Sequence, residues 1–243
     1  MKSVPVVFGV VMALCAAPVF SAVLVDEQFA HFDGPLVGLT PQPGPGGVWA
    51  AHSGAGNKPI QVSLGSISLD QSGGSGEDVK TTFAAMAAGD KLYAGFDVVL
   101  PSGQTVDPDV NGLYFAHFAL GTSSFQARIF VVAPSSGGDF GIALDGSTST
   151  PSNTWPVDLD FDTTYRIIVS YEFDTGYTRL WLDATVETDP YLEDLTGTTL
   201  QAIDSFAFRQ TNDYTGSQVI DNLLVSDVFD ESVPVELMSF SVE

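Results

Sequence analysis

The chain has 243 residues, with 30 Asp and Glu against eight Lys and Arg, and its formal net charge is −22. Such an acidic surface repels phosphate backbones and anionic lipid headgroups, which excludes nucleic acid and membrane surfaces as partners. Hydrophobic residues make up 44% of the chain, a content that excludes a disordered protein. The length suits a single all-β domain, since such domains run to about 200 to 250 residues.

The first segment, residues 1–22, has the pattern of a secretory signal peptide. Lys2 precedes a long apolar run that ends in the small residues Ser21 and Ala22. Two prolines interrupt this run, which is short for the roughly 20 residues of a membrane span. The only cysteine, Cys15, lies here, so the mature chain has neither a disulfide nor a thiol nucleophile. We expect a secreted or cell-surface protein without membrane insertion.

Short runs of β-forming residues follow, separated by turns rich in Gly and Pro. No segment has the period of an amphipathic helix over a useful length. This rhythm predicts an all-β fold, a two-sheet antiparallel β-sandwich. Besides the two strands of a hairpin, the predicted strands are residues 23–29, 60–62, 67–69, 79–83, 91–100, 112–120, 125–132, 140–144, a short one near Trp155, 205–210 and 219–226.

The hairpin is predicted for residues 163–184, where two runs of β-branched and aromatic residues flank Asp174-Thr175-Gly176. The glycine suits the positive φ of the turn. We expect this hairpin to form the central pair of the sandwich. Its outer face, polar apart from Ile168 and Trp181, is the first place to look for a site.

The register of the hairpin follows from its apolar pattern, because a slip of one residue exchanges the two faces of each strand. Pairing Tyr171 with Leu180 also sets Glu172 opposite Arg179, a favourable cross-strand pair. The predicted core face consists of Ile167, Val169, Tyr171, Leu180 and Leu182. The predicted outer face consists of Ser170, Glu172, Arg179, Trp181 and Asp183.

The body of the sandwich is predicted to span residues 23–231. Residues 232–243 alternate like a strand, but a proline and an acidic pair set them apart. They are either a final edge strand or the start of a linker to a further module. Both interpretations remain open at this point.

Several segments resemble a known family: AHSGAGNKPI, GEDV, LYFAHF with FQARIFV, TYRIIVSYEF with LWLDA, SFAFRQ and VIDNLLVSDVF. Together they resemble the concanavalin A-like, laminin G-like β-sandwich domains of secreted bacterial proteins. The resemblance covers residues 23–231 and consists of strand cores and turns. It implies a jelly roll of two curved sheets, an extracellular location and frequent roles in glycan binding or adhesion, with no defined ligand.

Sugar binding needs an exposed aromatic ring that stacks on a pyranose, beside planar hydrogen-bonding groups. Trp181 on the outer face of the hairpin fits this need, with Arg179 and Glu172 beside it. The alternative is that a loop such as residues 34–47 covers the indole, which then belongs to a second core layer.

Arg128, Arg209 and His117 complete the predicted ligand-binding residues. Each arginine lies in a strand whose neighbours on the same face are small or polar. His117 with Arg128 on an adjacent strand also fits a base and a carboxylate neutraliser in the lysis of acidic polysaccharides. The simpler interpretation of His117, inside LYFAHFAL, is a hydrogen-bonded residue of the sheet.

Calcium is the cofactor that the resemblance suggests, as a structural ion. In similar β-sandwiches, an acidic residue near the N-terminus and the Asp of an Ile-Asp-Asn step near the C-terminus share the ion. Here these are Glu27, or Asp26, with Asp221 and Asn222. The alternative is that they are solvated edge carboxylates.

A second calcium candidate comes from an acidic loop. Asp107, Asp109 and Asn111 match the first half of a calcium-binding loop, but Phe118 stands where the bidentate Glu is required. A plain turn rich in Asp, Asn and Gly explains the same residues.

Catalytic motifs are missing from the sequence. Glycosidases of this fold carry their two carboxylates as Glu-x-Asp-x-Glu or Glu-x-Asp-x-x-Glu, and neither spacing occurs. No Gly-x-Ser-x-Gly elbow is present, and three histidines without paired spacing make a poor zinc site. We therefore predict a carbohydrate-binding or adhesive module that is not an enzyme, with an extracellular glycan or cell-surface component as partner. The alternatives are a structural spacer and a polysaccharide hydrolase or lyase of the same fold.

Overall fold

The computed structural model describes residues 22–74, 76–86, 89, 91–106, 114–197, 199, 202–211, 216–229 and 232. Within them no helix is long and apolar enough to cross a membrane. The strands are β1 (Val23–Glu27), β2 (Gly34–Pro35), β3 (Ala50–Ser53), β4 (Gln61–Ser63), β5 (Ser66–Asp70), β6 (Asp78–Met86), β7 (Lys91–Val99), β8 (Tyr114–Leu120), β9 (Ser124–Val132), β10 (Gly141–Asp145), β11 (Asn153–Thr154), β12 (Tyr165–Glu172), β13 (Thr178–Leu182), β14 (Tyr191–Asp194), β15 (Ile203–Phe208) and β16 (Ser217–Ser226).

These strands form two antiparallel sheets. The nine-stranded sheet has the order β14-β13-β12-β7-β16-β5-β4-β2, and β1 pairs with β16. The seven-stranded sheet has the order β11-β10-β9-β8-β15-β6-β3. The predicted all-β sandwich of two sheets is confirmed. Sequence analysis did not predict β3, which places residues on the outer face of the seven-stranded sheet.

A single apolar cluster fills the space between the sheets. Phe96 of β7 reaches across to the opposite sheet, where its ring meets Phe115 edge-on at 6.1 Å and Phe208 at 5.4 Å. All three rings are buried. Edge-to-face pairs of this kind add to the free energy that comes from burying apolar area.

The faces of the hairpin β12–β13 are as predicted, but its register is wrong by two residues. Val169 pairs with Leu180, and Tyr171 pairs with Thr178. A shift of two leaves every side chain on its face because the side-chain period of a strand is two. The shift arises because the turn takes up four residues between Glu172 and Tyr177, whose backbones are hydrogen-bonded.

The expected position of the hairpin is also wrong. β7 and β16 occupy the middle of the nine-stranded sheet, and the hairpin lies towards the edge formed by β14. Glu172 does not face Arg179, which is paired with Ser170 in the register. Gly176 has the positive φ that the turn requires, 74°.

The chain after β16 covers the outer face of the hairpin. Phe229 packs against Trp181 and Tyr93 in a second apolar cluster. Arg166 of β12 donates hydrogen bonds to the backbone oxygen of Ser232 from Nε at 3.2 Å and from Nη2 at 2.9 Å. The covering segment is therefore anchored to the sheet both by a ring and by a buried cation.

Candidate functional site

The six predicted ligand-binding residues do not form one site. Trp181, Arg179 and Glu172 belong to the nine-stranded sheet, as strands β12 and β13 show. The other three lie on the seven-stranded sheet: His117 on β8, Arg128 on β9 and Arg209 directly after β15. The outer faces of a sandwich point away from each other, so one small ligand does not reach both groups.

The prediction that Trp181 is exposed is wrong. The indole is completely buried, and its Nε1 donates a hydrogen bond to the backbone oxygen of Glu187 at 3.1 Å. The ring that covers the indole belongs to Phe229, in the segment after β16, and not to residues 34–47. Trp181 therefore belongs to a second core layer, and no sugar ring stacks on it in this conformation.

Arg179 and Glu172 are committed to neighbours within the protein. Arg179 pairs with Glu193 of β14 at 2.7 Å and lies 5.1 Å from the centre of the Tyr191 ring. Glu172 accepts a hydrogen bond from the hydroxyl of Thr175 in its own turn, at 2.9 Å. The ion pair predicted between Arg179 and Glu172 is replaced by one with Glu193.

The seven-stranded sheet carries a pocket on its outer face, with a volume of about 160 Å³. Strands β3, β6, β8 and β9, together with the residue after β15, bring the lining together. The lining residues are His52, Ser53, Asp78, Tyr114, His117, Thr122, Phe125 and Arg209. We call this the Tyr114 pocket.

Two arginines converge on the ring of Tyr114. The Cζ atom of Arg128 lies 4.7 Å from the ring centre, and that of Arg209 lies 4.5 Å from it. Arg128 also lies 5.7 Å from the centre of the Phe125 ring. Distances below about 6 Å allow a cation–π attraction, which a desolvated site strengthens. The sequence predicted both arginines but not the tyrosine that brings them together.

His117 lies at the base of the pocket and is completely buried. Its ring is 4.4 Å from that of Phe125, 5.1 Å from Tyr114 and 5.5 Å from His52, measured between centroids. Neither of its ring nitrogens has a hydrogen-bond partner among the described residues. His117 is thus a buried residue of the sheet, paired in register with Ala207, as the simpler interpretation held, but its side chain lacks the expected hydrogen bond. Its predicted place beside Arg128 and Arg209 agrees with the geometry.

The histidines of the pocket are held neutral. Burial lowers the pKa of His117 well below its ordinary value of 6.5, and the charges of His52, Arg128 and Arg209 act in the same direction. Burial also lowers the pKa of His52, with smaller effects of Lys80 and Arg209. A neutral imidazole offers one donor and one acceptor.

Two β-bulges create this face of the pocket. Tyr114 and His117 are three residues apart, as are Phe125 and Arg128, and in a regular strand that spacing puts side chains on opposite faces. The pairing of β8 with β9 shifts on both sides of Ala116, which accommodates one extra residue in each strand. Ala127 takes the positive φ of 52° at the bulge in β9. Bulges re-aim side chains in this way near functional sites.

Asp78 is the acidic residue of the lining. Its Oδ2 accepts a hydrogen bond from the hydroxyl of Ser53 at 2.7 Å and lies 3.6 Å from Nε of Arg209, while Oδ1 accepts one from the backbone N–H of Gln210 at 3.0 Å. Burial raises the pKa of Asp78, and these contacts oppose the rise. The carboxylate thus fixes the position of Arg209.

His52, Asp78, Tyr114 and Phe125 were missed by the sequence analysis. Strand β3, which carries His52, is short and begins with two alanines, so it lacks the β-branched pattern of a strand. Tyr114 and Phe125 were placed in strands but not on the outer face, because nothing in the sequence indicates the bulges. Only the aromatic content of LYFAHF and SSFQAR gave a signal.

The predicted calcium ligand Glu27 is engaged by donors of the protein itself. Its carboxylate is completely buried and accepts hydrogen bonds from the backbone N–H groups of Phe29 (2.7 Å) and Gln42 (3.4 Å) and from Nε1 of Trp49 (2.9 Å). Nε2 of His31 lies 3.1 Å from it. Both oxygens are therefore engaged in holding the loop that follows β1.

An arginine lies near the other predicted calcium ligands, Asp221 and Asn222. Asp221 pairs in register with Asp97 of β7, whose carboxylate lies 3.2 Å from Nη1 of Arg166. Asn222 donates from Nδ2 to Asp97 at 2.7 Å. The described part of the chain contains no group of three or more His, Cys, Asp or Glu side chains placed to hold a metal ion. Burial, with the charge of Glu27 beside it, raises the pKa of Asp26.

The second calcium candidate, Asp107, Asp109 and Asn111, lies outside the described residues. The signal peptide of residues 1–22 does too, except for Ala22, and so does the C-terminal segment except for Ser232. These predictions remain expectations from the sequence. The residues described here fit no metal site, and we derive no function through one.

No family model and no curated protein matches the sequence. Solved structures do match the fold. The binding domain of botulinum neurotoxin serotype D is 9% identical, with a TM-score of 0.55, over 86% of this chain and 50% of that one. A sialidase is 13% identical, with a TM-score of 0.53, over 76% of this chain and 17% of that one. The Emp47p carbohydrate recognition domain is 12% identical, with a TM-score of 0.48, over 88% and 100%.

The chain has the concanavalin A-like β-sandwich fold, as the resemblance of its segments implied. The match spans half of the neurotoxin domain and 17% of the sialidase chain. At such low identity a structural likeness shows the fold alone, and the same fold carries many functions. The function has to be argued from the Tyr114 pocket.

Proposed function

We propose that this chain is a carbohydrate-binding module that works outside the cytoplasm and binds its ligand at the Tyr114 pocket. The observation that carries the proposal is the convergence of Arg128 and Arg209 on the ring of Tyr114, over a buried and unpartnered His117. A pocket with aromatic walls and a few convergent polar groups is the usual form of a small-ligand site.

The chemistry of the lining suits a sugar. A pyranose has apolar C–H faces, which pack on rings such as the half-buried Phe125, and hydroxyls that both donate and accept hydrogen bonds. Arg209 supplies donors in a planar fork, and the half-buried neutral imidazole of His52 adds a further polar group. Thr122 and Ser53 are exposed at the rim and add hydroxyls.

The names of structures with this fold are in keeping with the proposal. The neurotoxin match is named a binding domain, whereas the sialidase match carries the name of an enzyme and does not distinguish binding from catalysis. A binding role outside the cell also agrees with the predicted signal peptide. A spacer domain without a ligand does not require two arginines and a histidine to be gathered around the ring of Tyr114.

Polysaccharide lysis is the second candidate, favoured by Tyr114 and His117 beside two arginines. An eliminating enzyme needs a base that reaches a ring proton, and a base must come within about 2.6 to 3.2 Å of that proton's carrier. Both nitrogens of His117 are closed to solvent. Hydrolysis needs two carboxylates about 5 to 10 Å apart; Asp78 is the one carboxylate among the described lining residues. We therefore favour binding without catalysis.

A glycan array that includes algal and plant polysaccharides tests the proposal with three proteins. These are the mature chain, Arg209→Ala and the control Arg179→Ala, which removes an arginine from the opposite sheet. We expect the mature chain and the control to bind the same glycans, and Arg209→Ala to lose them. No binding by a folded mature chain, or equal binding by all three proteins, would contradict the proposal.

Incubating the bound polysaccharides with the mature chain separates binding from lysis. Lysis of a uronate polymer leaves an unsaturated sugar that absorbs ultraviolet light. We expect no such absorbance and no change in polymer size. A steady rise that Tyr114→Phe abolishes would favour the lyase instead.

A further inference from the structure

The charge at the Tyr114 pocket is opposite in sign to that of the protein. The chain has a formal net charge of −22 and eight basic residues, yet two of the eight meet at one ring. Like charges held close together repel one another, and burial weakens the screening by water. Such an arrangement is unfavourable in the free protein unless a counter-charge relieves it.

The protein supplies only part of that counter-charge. Asp78 lies 3.6 Å from Nε of Arg209 and partly neutralises it. Arg128 forms no ion pair with a carboxylate in the described part of the chain, and its Nε is buried without a hydrogen-bond partner there. Asp145 raises the pKa of Arg128 only through space, against the larger effect of burial, and its own Oδ1 accepts the backbone N–H groups of Ser147 (2.9 Å) and Thr148.

The unpartnered groups of the site are rich in donors. The Nε–H of Arg128 and one nitrogen of His117 each carry a hydrogen without an acceptor among the described residues. Nδ1 of His52 is unpartnered as well. Buried donors left unsatisfied are costly. These nitrogens are closed to solvent, so an anion in the pocket offsets the uncompensated positive charge of the site and does not bond to them directly.

The pocket is too small for an oligosaccharide. Its volume of about 160 Å³ is below the range of roughly 300 to 1,000 Å³ that is usual for sites holding a whole drug-sized ligand. It accommodates one substituent or part of one sugar ring. The exposed residues Ser53 and Thr122 at its rim leave room for the rest of a polymer to continue across the surface.

We propose that the Tyr114 pocket selects glycans through an anionic substituent, a uronate carboxylate or a sulfate ester, which Arg209 of the lining holds and which the nearby charge of Arg128 on the Tyr114 ring attracts. Guanidinium groups pair with carboxylate and sulfate oxygens through charge-assisted, often paired, hydrogen bonds. The inference rests on the function proposed above, and it names the class of sugar. Because the rest of the protein is so acidic, the contact depends on these two side chains and not on a general basic surface.

Calorimetric titration with matched polymers tests the inference. The probes are polygalacturonate and its methyl-esterified form, and a sulfated galactan and its desulfated form. We expect one charged probe to bind, and its neutral partner to bind at least roughly tenfold more weakly. A tenfold difference in affinity is about 1.4 kcal/mol. The carboxylate and sulfate pairs show which group is recognised.

Two failures have different meanings. Equal binding of a charged probe and its neutral partner would overturn the anion selectivity and leave the carbohydrate-binding proposal intact. If the protein bound none of the four probes and no glycan of the array, both the anion selectivity and the carbohydrate-binding proposal would be overturned.

Variants assign the effect to the site. Arg128→Gln is expected to weaken the charged probe but not the neutral one, and the control Arg179→Gln is expected to change neither. Arg209→Lys retains the charge but not the planar fork, so it is expected to bind the charged probe at intermediate strength. A folded Arg128→Gln protein with unchanged affinity for the charged probe would contradict the inference.

Discussion

The ring of Phe229 lies edge-on against the indole of Trp181, with centroids 5.2 Å apart and planes inclined by 68°. The two residues are far apart in the chain, but both are buried and share a cluster with Tyr93 and Ile168. This contact turns the outer face of the hairpin into a second core layer. The Tyr114 pocket lies on the outer face of the other sheet.

Replacing Phe229 by Ala is expected to destabilise the fold by about 3 kcal/mol, because it empties a buried aromatic site. Trp181 loses part of its cover, so its fluorescence is expected to shift towards the red in the native state. Urea unfolding followed by fluorescence measures both effects. Phe32→Ala, at a ring that is 99% exposed, is the control and is expected to change neither. Equal stability of the two variants would show that the segment after β16 does not cover the sheet.

Replacing Glu27 is expected to destabilise the protein more than replacing most other acidic residues. Its carboxylate accepts hydrogen bonds from the loop after β1 and from the side chain of Trp49. Glu27→Gln turns a double acceptor into a group with one acceptor and leaves a buried donor unpaired. We expect a loss of about 2 kcal/mol or more in the free energy of unfolding. Glu193→Gln, which removes a partly exposed ion pair with Arg179, is expected to cost under about 1 kcal/mol. Similar losses in both variants would contradict the role given to Glu27.

Removing divalent metal is expected to leave stability unchanged. Glu27 is occupied by the protein's own donors, and Arg166 already provides positive charge beside Asp97. The thermal midpoint in calcium and in excess chelator should therefore agree. A fall of the midpoint in chelator that persists in the triple variant Asp107→Asn, Asp109→Asn and Asn111→Ala would contradict this account. A fall that the triple variant abolishes would assign the ion to that loop.

The buried His117 predicts a loss of stability on mild acidification. Its pKa is lowered well below the value of 6.5 that applies in the unfolded chain. Below that pH the unfolded chain takes up a proton that the folded protein refuses, so stability falls as pH decreases from about 6.5 towards the folded pKa. One such proton changes the free energy of unfolding by up to about 1.4 kcal/mol per pH unit.

His117→Phe removes this effect while preserving a ring among Tyr114, Phe125 and His52. Urea unfolding at about pH 7 and about pH 5.5 is expected to show a larger loss for the natural protein than for the variant. His52 also lowers the stability of both proteins on acidification, since its pKa is lowered as well. An identical pH dependence would mean that His117 is not buried as a neutral group.

The strands and the faces of the hairpin could be predicted because they depend on local pattern. A run such as YRIIVSYE has the alternation and the β-branched content of a strand, whatever its partner. The register could not be fixed to better than two residues, because Val169 or Tyr171 opposite Leu180 produces the same core face.

The site depended on features without a local signal. Ala127 adopts a positive φ that favours glycine, so the sequence does not mark the bulge that puts Arg128 beside Phe125. The sheet order that sets β15 beside β8, and so Arg209 beside Tyr114, is equally invisible in single strands. The cover of Trp181 by Phe229 is a contact between distant segments. Three of the six predicted ligand residues therefore meet, but around a tyrosine that was not predicted.

The most direct test of the account is to map ligand contacts by NMR on the ¹⁵N-labelled mature chain, titrated with a short oligogalacturonate and with a sulfated galactan oligosaccharide. We expect the largest amide shifts in β3, β8 and β9 and near Arg209, with small shifts in β12, β13 and β14. In the same titration of the Arg209→Ala variant, the large shifts in β3, β8 and β9 should be absent. Shifts centred on the hairpin around Arg179, or no shifts with either sugar, would contradict a binding site at the Tyr114 pocket.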